Sequence, residues 1–185
     1  PQSNEPRYLR LSFTLTAAPG AAELWVTVDN HYVAYVNGQK VGEDSEWNSI
    51  EKYDVAKHLV VGKNVLAIQA RNQGSAAGAI ARLHIKTADK KNLFIVTDDK
   101  TKIRRAEPRK GPVDSWTNAD FDDSSWFNAI VLGDSSLAPW NLQSPGSKGS
   151  GIAGKGKKVQ SQFPYDTNTV DNKLGRLSAA EQKLS

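Results

Sequence analysis

The dipeptide Asn37-Gly38 stands between apolar runs and constrains this chain more than any other feature. Both central positions of a two-residue hairpin turn want a positive φ, which Asn and Gly accept most readily. The chain must therefore double back there. Around this turn, apolar residues recur at every second position. Leu9, Leu11, Phe13 and Leu15 alternate with Arg10, Ser12 and Thr14, and Leu24, Val26 and Val28 oppose Trp25 and Thr27. A period of two puts such residues on one face of a strand. Residues 31–36, 64–71 and 80–87 repeat the pattern. Residues 93–97 are continuously apolar, which predicts a strand covered on both faces. Lys and Arg in 101–105 suit a short edge strand, and 127–132 read as a last strand. Residues 47–53 look irregular, and Asp54 is placed to cap one helical turn ended by Gly62. With almost no helical period, the expected class is all-β, a sandwich of about eight strands.

Charge divides the chain. Residues 1–143 hold 17 basic and 17 acidic side chains, so the whole net charge of +4 falls in residues 144–185. The expected organisation is a β-sandwich over 1–143, a Gly/Ser/Lys-rich linker over 144–158 and an extended tail over 159–185. Ser178 and Glu181 form a capping box that can start a short terminal helix. A neutral body has no basic excess to drive nucleic-acid binding. The tail offers Lys155, Lys157 and Lys158, then apolar anchors at Phe163, Tyr165, Leu174, Leu177 and Leu184. Ordering such a segment requires burial against something else, so the tail is the expected contact with other protein subunits.

The chain has no Cys, which excludes disulfides, thiolate metal sites and cysteine nucleophiles. It has no run long and apolar enough for a membrane span. No signal peptide opens it, and it has no Met even at position 1. The expectation drawn from this is a processed, exported protein, periplasmic or extracellular, or a cut fragment.

The segment from Trp25 to Gly38, the later Tyr53-Asp54-Val55 and Gly62-Lys63-Asn64-Val65-Leu66-Ala67, and Asp120-Phe121-Asp122-Asp123-Ser124-Ser125-Trp126 carry a resemblance. In this order they are similar to galactose-binding-like jelly-roll domains, the accessory domains of β-galactosidase-type and α-rhamnosidase-type glycoside hydrolases. The resemblance covers roughly residues 7–140. It implies a jelly-roll sandwich without the catalytic acids, which in those hydrolases lie on a separate barrel. It also implies a structural calcium, for which no EF-hand-like pattern exists here. No other cofactor is implied. In this fold Phe121 and Trp126 are expected to plug one end of the sandwich.

Catalytic patterns fail. His31, His58 and His84 have no metal-ligand spacing, and no GxSxG elbow or phosphate loop occurs. Asp98-Asp99 and Asp122-Asp123 are adjacent in sequence, whereas glycosidic chemistry needs carboxyl groups about 5–9 Å apart across a cleft. A non-enzyme is expected. Its first reading is a structural or interaction subunit of a larger exported assembly. The alternative is a carbohydrate-binding module, or an accessory domain cut from a longer hydrolase. Candidate sugar contacts are Asp29, Asn30 and His31 in a turn, with Trp47 and Trp116 as stacking rings.

Overall fold

The computed structural model describes residues 4–74, 77–105 and 116–133. Among the described residues ten strands form in chain order: β1 (Pro6–Leu15), β2 (Pro19–Asp29), β3 (His31–Val36), β4 (Gln39–Asp44), β5 (Glu51–Asp54), β6 (Gly62–Arg71), β7 (Gly78–Thr87), β8 (Asn92–Val96), β9 (Lys102–Arg105) and β10 (Phe127–Asn128). They build a six-stranded sheet ordered β10-β9-β1-β6-β3-β4 and a four-stranded sheet ordered β5-β2-β7-β8. Every pairing is antiparallel. The all-β sandwich expected from the alternation is the fold observed.

The alternation also predicts the core. Leu9, Leu11 and Leu15 from β1, Leu24, Val26 and Val28 from β2, Leu66 and Ile68 from β6, and Leu83 and Ile85 from β7 share one buried cluster. Side chains of both sheets meet there, as a two-layer sandwich requires. The Asn37-Gly38 hairpin is present, with φ of 48° and 82°. A Cβ on Gly38 would stand 2.4 Å from Asn118 Oδ1. Gly38→Ala is therefore expected to destabilise by about 1–2 kcal/mol. Thermal unfolding checks this, and an unchanged Tm would contradict a fixed hairpin tip.

Behind the hairpin lies a network that the sequence pattern does not announce. Asn64 is buried; its Oδ1 accepts the Val60 N–H at 2.9 Å and the Asn37 Nδ2–H at 2.8 Å. Its Nδ2 donates to the Val60 and Gly62 carbonyls. Asn37 in turn donates to the His58 carbonyl and accepts the Val65 N–H. The expected helical turn is one 3₁₀ turn, Ala56–His58, and Asp54 Oδ1 accepts the Ala56 N–H at 3.1 Å.

Five expectations need correction. Residues 102–105, within the segment read as an edge strand, form β9, which lies between β10 and β1. Residues 51–54, within the segment read as irregular, form a strand beside β2. β8 is only partly buried, because it is the outer strand of the four-stranded sheet and lacks a neighbour on one side. Of residues 127–132 only Phe127 and Asn128 pair, and Phe127, Ile130 and Leu132 stand exposed. Phe121 and Trp126 do not plug an end of the sandwich. With Trp116 they cover the outer face of the six-stranded sheet, over Val65 and Ala67. β6 therefore has apolar cover on both of its faces, which the one-sided alternation did not predict.

Arg10 holds that cover in place. It is 1% exposed, although it alternates with the core residues of β1. Its Nε donates to Asp123 Oδ2 at 2.8 Å. Its Nη1 donates to the Trp116 and Asn118 carbonyls, and its Nη2 donates to the Phe121 carbonyl. The guanidinium also lies 5.0 Å from the centre of the Phe121 ring. Five planar N–H donors suit this convergence of carbonyls and carboxylate, where the point charge of a Lys would not.

Candidate functional site

Antiparallel pairing brings Asp29, Asn30 and His31 to the end of the sandwich opposite the hairpin. Asp29 ends β2, His31 starts β3, and Asn30 links them across a cis peptide bond with Asp29. His31 pairs in register with Arg71 at the end of β6. The corner is stitched to the next loop: Asn30 N–H donates to the Arg71 carbonyl at 2.9 Å, and Asn30 Oδ1 accepts the Gln73 N–H at 2.7 Å. Gly74 N–H donates to Asn72 Oδ1 at 3.0 Å, which shapes that loop.

Asp29 is the electrostatic oddity of the corner. Burial pushes its carboxyl above the ordinary carboxylate pKa, and a hydrogen bond with the Asn30 side chain offsets only part of this. Holding a carboxylate there opposes folding, since burial penalises the charged form. Nearby, the phenols of Tyr32 and Tyr53 meet at 3.1 Å. Burial raises both pKa values, so both stay protonated.

Trp47 joins this end from the loop between β4 and β5. Its carbonyl accepts the Thr27 hydroxyl at 3.1 Å. Thr27 and Asp29 lie on the same face of β2, about 7 Å apart along the strand. The Trp47 side chain is open, with the residue 39% exposed. Four of the five candidate sugar contacts are thus gathered at one end. Trp116 is not. It is 8% exposed, stacks at 6.4 Å on Trp126, and meets the Tyr8 and Tyr35 rings edge-on. The indole packs in the cover of the six-stranded sheet, so it offers no open face for stacking. A groove of about 300 Å³ lined by Ser12, Phe13, Thr14, Lys63, Asn64 and Ala119 lies at the hairpin end, away from the four candidates.

Three of the four carboxylates in the adjacent pairs have local structural work. Asp98 Oδ1 accepts the Lys100 and Thr101 N–H groups, Asp122 Oδ1 accepts the Ser124 N–H, and Asp123 pairs with Arg10. His84 bonds Asn92 and stacks on Phe94. Among the described residues no group of three or more His, Asp or Glu is placed to hold a metal ion, so the calcium that the resemblance implies finds no such donor set. No described helix is long and apolar enough to cross a membrane. The tail candidates Lys155, Lys157, Lys158, Phe163, Tyr165, Leu174, Leu177 and Leu184 lie outside the described residues.

No protein-family model matches the chain. An α-L-rhamnosidase of Streptomyces avermitilis is 33% identical over 147 residues, 75% of this chain and 14% of that protein. A crystal structure of α-L-rhamnosidase from that organism, complexed with L-rhamnose, matches with a TM-score of 0.67 at 30% identity, over 75% of this chain and 14% of that one. A Pleurotus ostreatus lectin in complex with GalNAc matches with a TM-score of 0.65 at 28% identity, over 74% of this chain and 39% of the lectin. The likeness to a sandwich of the α-rhamnosidase type, read from the hairpin and the Trp126 motif, thus holds in sequence and in fold. This chain spans only a minor part of each of these relatives.

Proposed function

We propose that the sandwich is a non-catalytic carbohydrate-binding domain and that its sugar site is the Asp29–Asn30–His31 corner, with Trp47 as the stacking ring. The observation that carries this reading is the gathering of Asp29, Asn30 and His31 at one end of the sandwich together with the exposed Trp47 ring. Burial raises the Asp29 carboxyl pKa, and perturbed groups concentrate at binding sites. The L-rhamnose-complexed rhamnosidase and the GalNAc-complexed lectin support the same ligand class. Both favour the glycan-binding alternative over the assembly subunit that the tail first suggested. A location outside the cell, where polymeric glycans are met, belongs to the same proposal.

Asp29→Asn tests it with two readouts of opposite sign. Calorimetric titration with L-rhamnose and GalNAc should show binding to the parent and at least tenfold weaker binding to the variant, since a carboxylate hydrogen bond is worth about 1.5–3 kcal/mol. Stability should move the other way. The folded Asp29 pKa is raised, so its penalty is absent below the unfolded value of about 3.9 and complete above the folded value. The variant should therefore melt above the parent at about pH 7 and match it at about pH 3. Equal sugar affinity in both proteins would remove Asp29 from the site.

A further inference from the structure

We propose that Arg71, with His31 beside it, forms a second subsite that takes the carboxylate of a uronic acid residue adjoining the sugar held at Asp29 and Asn30. This inference rests on the glycan-binding reading and deepens it from a single sugar to an acidic glycan.

The geometry comes from strand register. His31 and Arg71 are direct partners across β3 and β6, so their side chains leave the same face of the six-stranded sheet. That face is the outer one, because the neighbours of alternate parity, Tyr32 and Ala70, belong to the core. Trp116 and Trp126 cover this face over Val65 and Ala67, further along β6 from Arg71. Arg71 is exposed, and its guanidinium has no ion-pair partner among the described residues. Its own carbonyl accepts the Asn30 N–H, so the Arg71 backbone is one hydrogen bond from Asn30, and His31 is the side chain that the sugar site and the Arg71 subsite share.

The surrounding charges agree. On the same face, Glu43 is paired with Lys40 at 2.8 Å. Across β1, Glu5 is held by Arg7 at 3.0 Å. Glu43 and Glu5 are thus already matched, while Arg71 has no ion-pair partner among the described residues. A planar guanidinium matches a carboxylate with two parallel N–H···O bonds, and the adjacent imidazole can donate a third. A neutral sugar would use none of this charge. A carboxylate-bearing neighbour would, and the pairing would weaken with added salt because it lies at the surface.

The test uses the full chain with glucuronosyl-rhamnose and galacturonosyl-rhamnose, their carboxyl-reduced counterparts, L-rhamnose alone and a sulfated rhamnose. At low salt at least one acidic disaccharide should bind about tenfold tighter than its reduced form, and Arg71→Gln should erase that difference. L-Rhamnose affinity should stay within twofold in the variant. Acidic and reduced forms binding alike, or an Arg71→Gln variant that weakens L-rhamnose equally, would overturn the subsite and leave the sugar site standing. Tighter binding of the sulfated sugar than of either uronate would overturn the carboxylate assignment. No binding of any of these sugars would bring down the subsite and the glycan-binding reading together.

Discussion

Replacing Arg10 by Ala should destabilise the sandwich by about 3–5 kcal/mol, the range for removing one partner of a buried ion pair. The side chain of Arg10 is fully buried, while Asp123 retains 20% exposure. The loss is larger than one salt bridge because the carbonyls of Trp116, Asn118 and Phe121 lose a donor at the same time. Asp123→Asn should cost less, about 1–2 kcal/mol, since its amide oxygen can still accept from Nε and the position is partly solvated. Arg10→Lys should behave nearly like Ala, because one ammonium cannot reach the carboxylate and three carbonyls in a plane. Urea unfolding of the three variants checks the order. An Arg10→Ala loss below about 1 kcal/mol would mean that segment 116–126 is held by its rings alone.

Trp126→Ala should cost about 3–5 kcal/mol, as expected for a large buried aromatic. Its indole is 6% exposed, stacks on Trp116 and meets Phe121 edge-on at 5.7 Å. Trp126→Phe separates packing from polarity. The Trp126 Nε1 is buried with no hydrogen-bond partner among the described residues. Phe removes that unmet donor while keeping most of the ring, so its cost should stay below about 1.5 kcal/mol. Equal losses for Ala and Phe would show that the indole's outer ring, which only Trp supplies, carries the contact. Neither substitution should alter sugar affinity by more than twofold, because this cover lies apart from the Asp29 corner.

Local rules were enough to read most of the core from the sequence. A period of two marks which face of β1, β2 and β7 is buried, and Asn37-Gly38 marks the turn. Both signals act within a few residues. What failed depends on distant partners. Arg10 reads as a solvent-facing alternate of β1, and nothing near it announces Asp123, 113 residues later. Trp116 reads as a free aromatic in a turn-rich stretch, yet Val65 and Ala67 give it an apolar seat on a face that the pattern assigned to water. Residues 51–54 lack a period long enough to identify, and only pairing with β2 makes them a strand. Within the candidate site, Asp29, Asn30 and His31 were legible as a polar cluster beside a strand end. Trp47 was legible only as an aromatic; its place at that end depends on the bond from Thr27. Arg71 escaped notice because its relation to His31 is a register across two strands 40 residues apart in sequence.

Amide chemical-shift mapping during titration with L-rhamnose tests the sugar site most directly. The account predicts saturable shifts at Asn30, His31 and Gln73 and at the Trp47 indole, with residues 116–126 unmoved. Shifts centred on Trp116 and Trp126, or none at a large excess of L-rhamnose and of GalNAc, would contradict it.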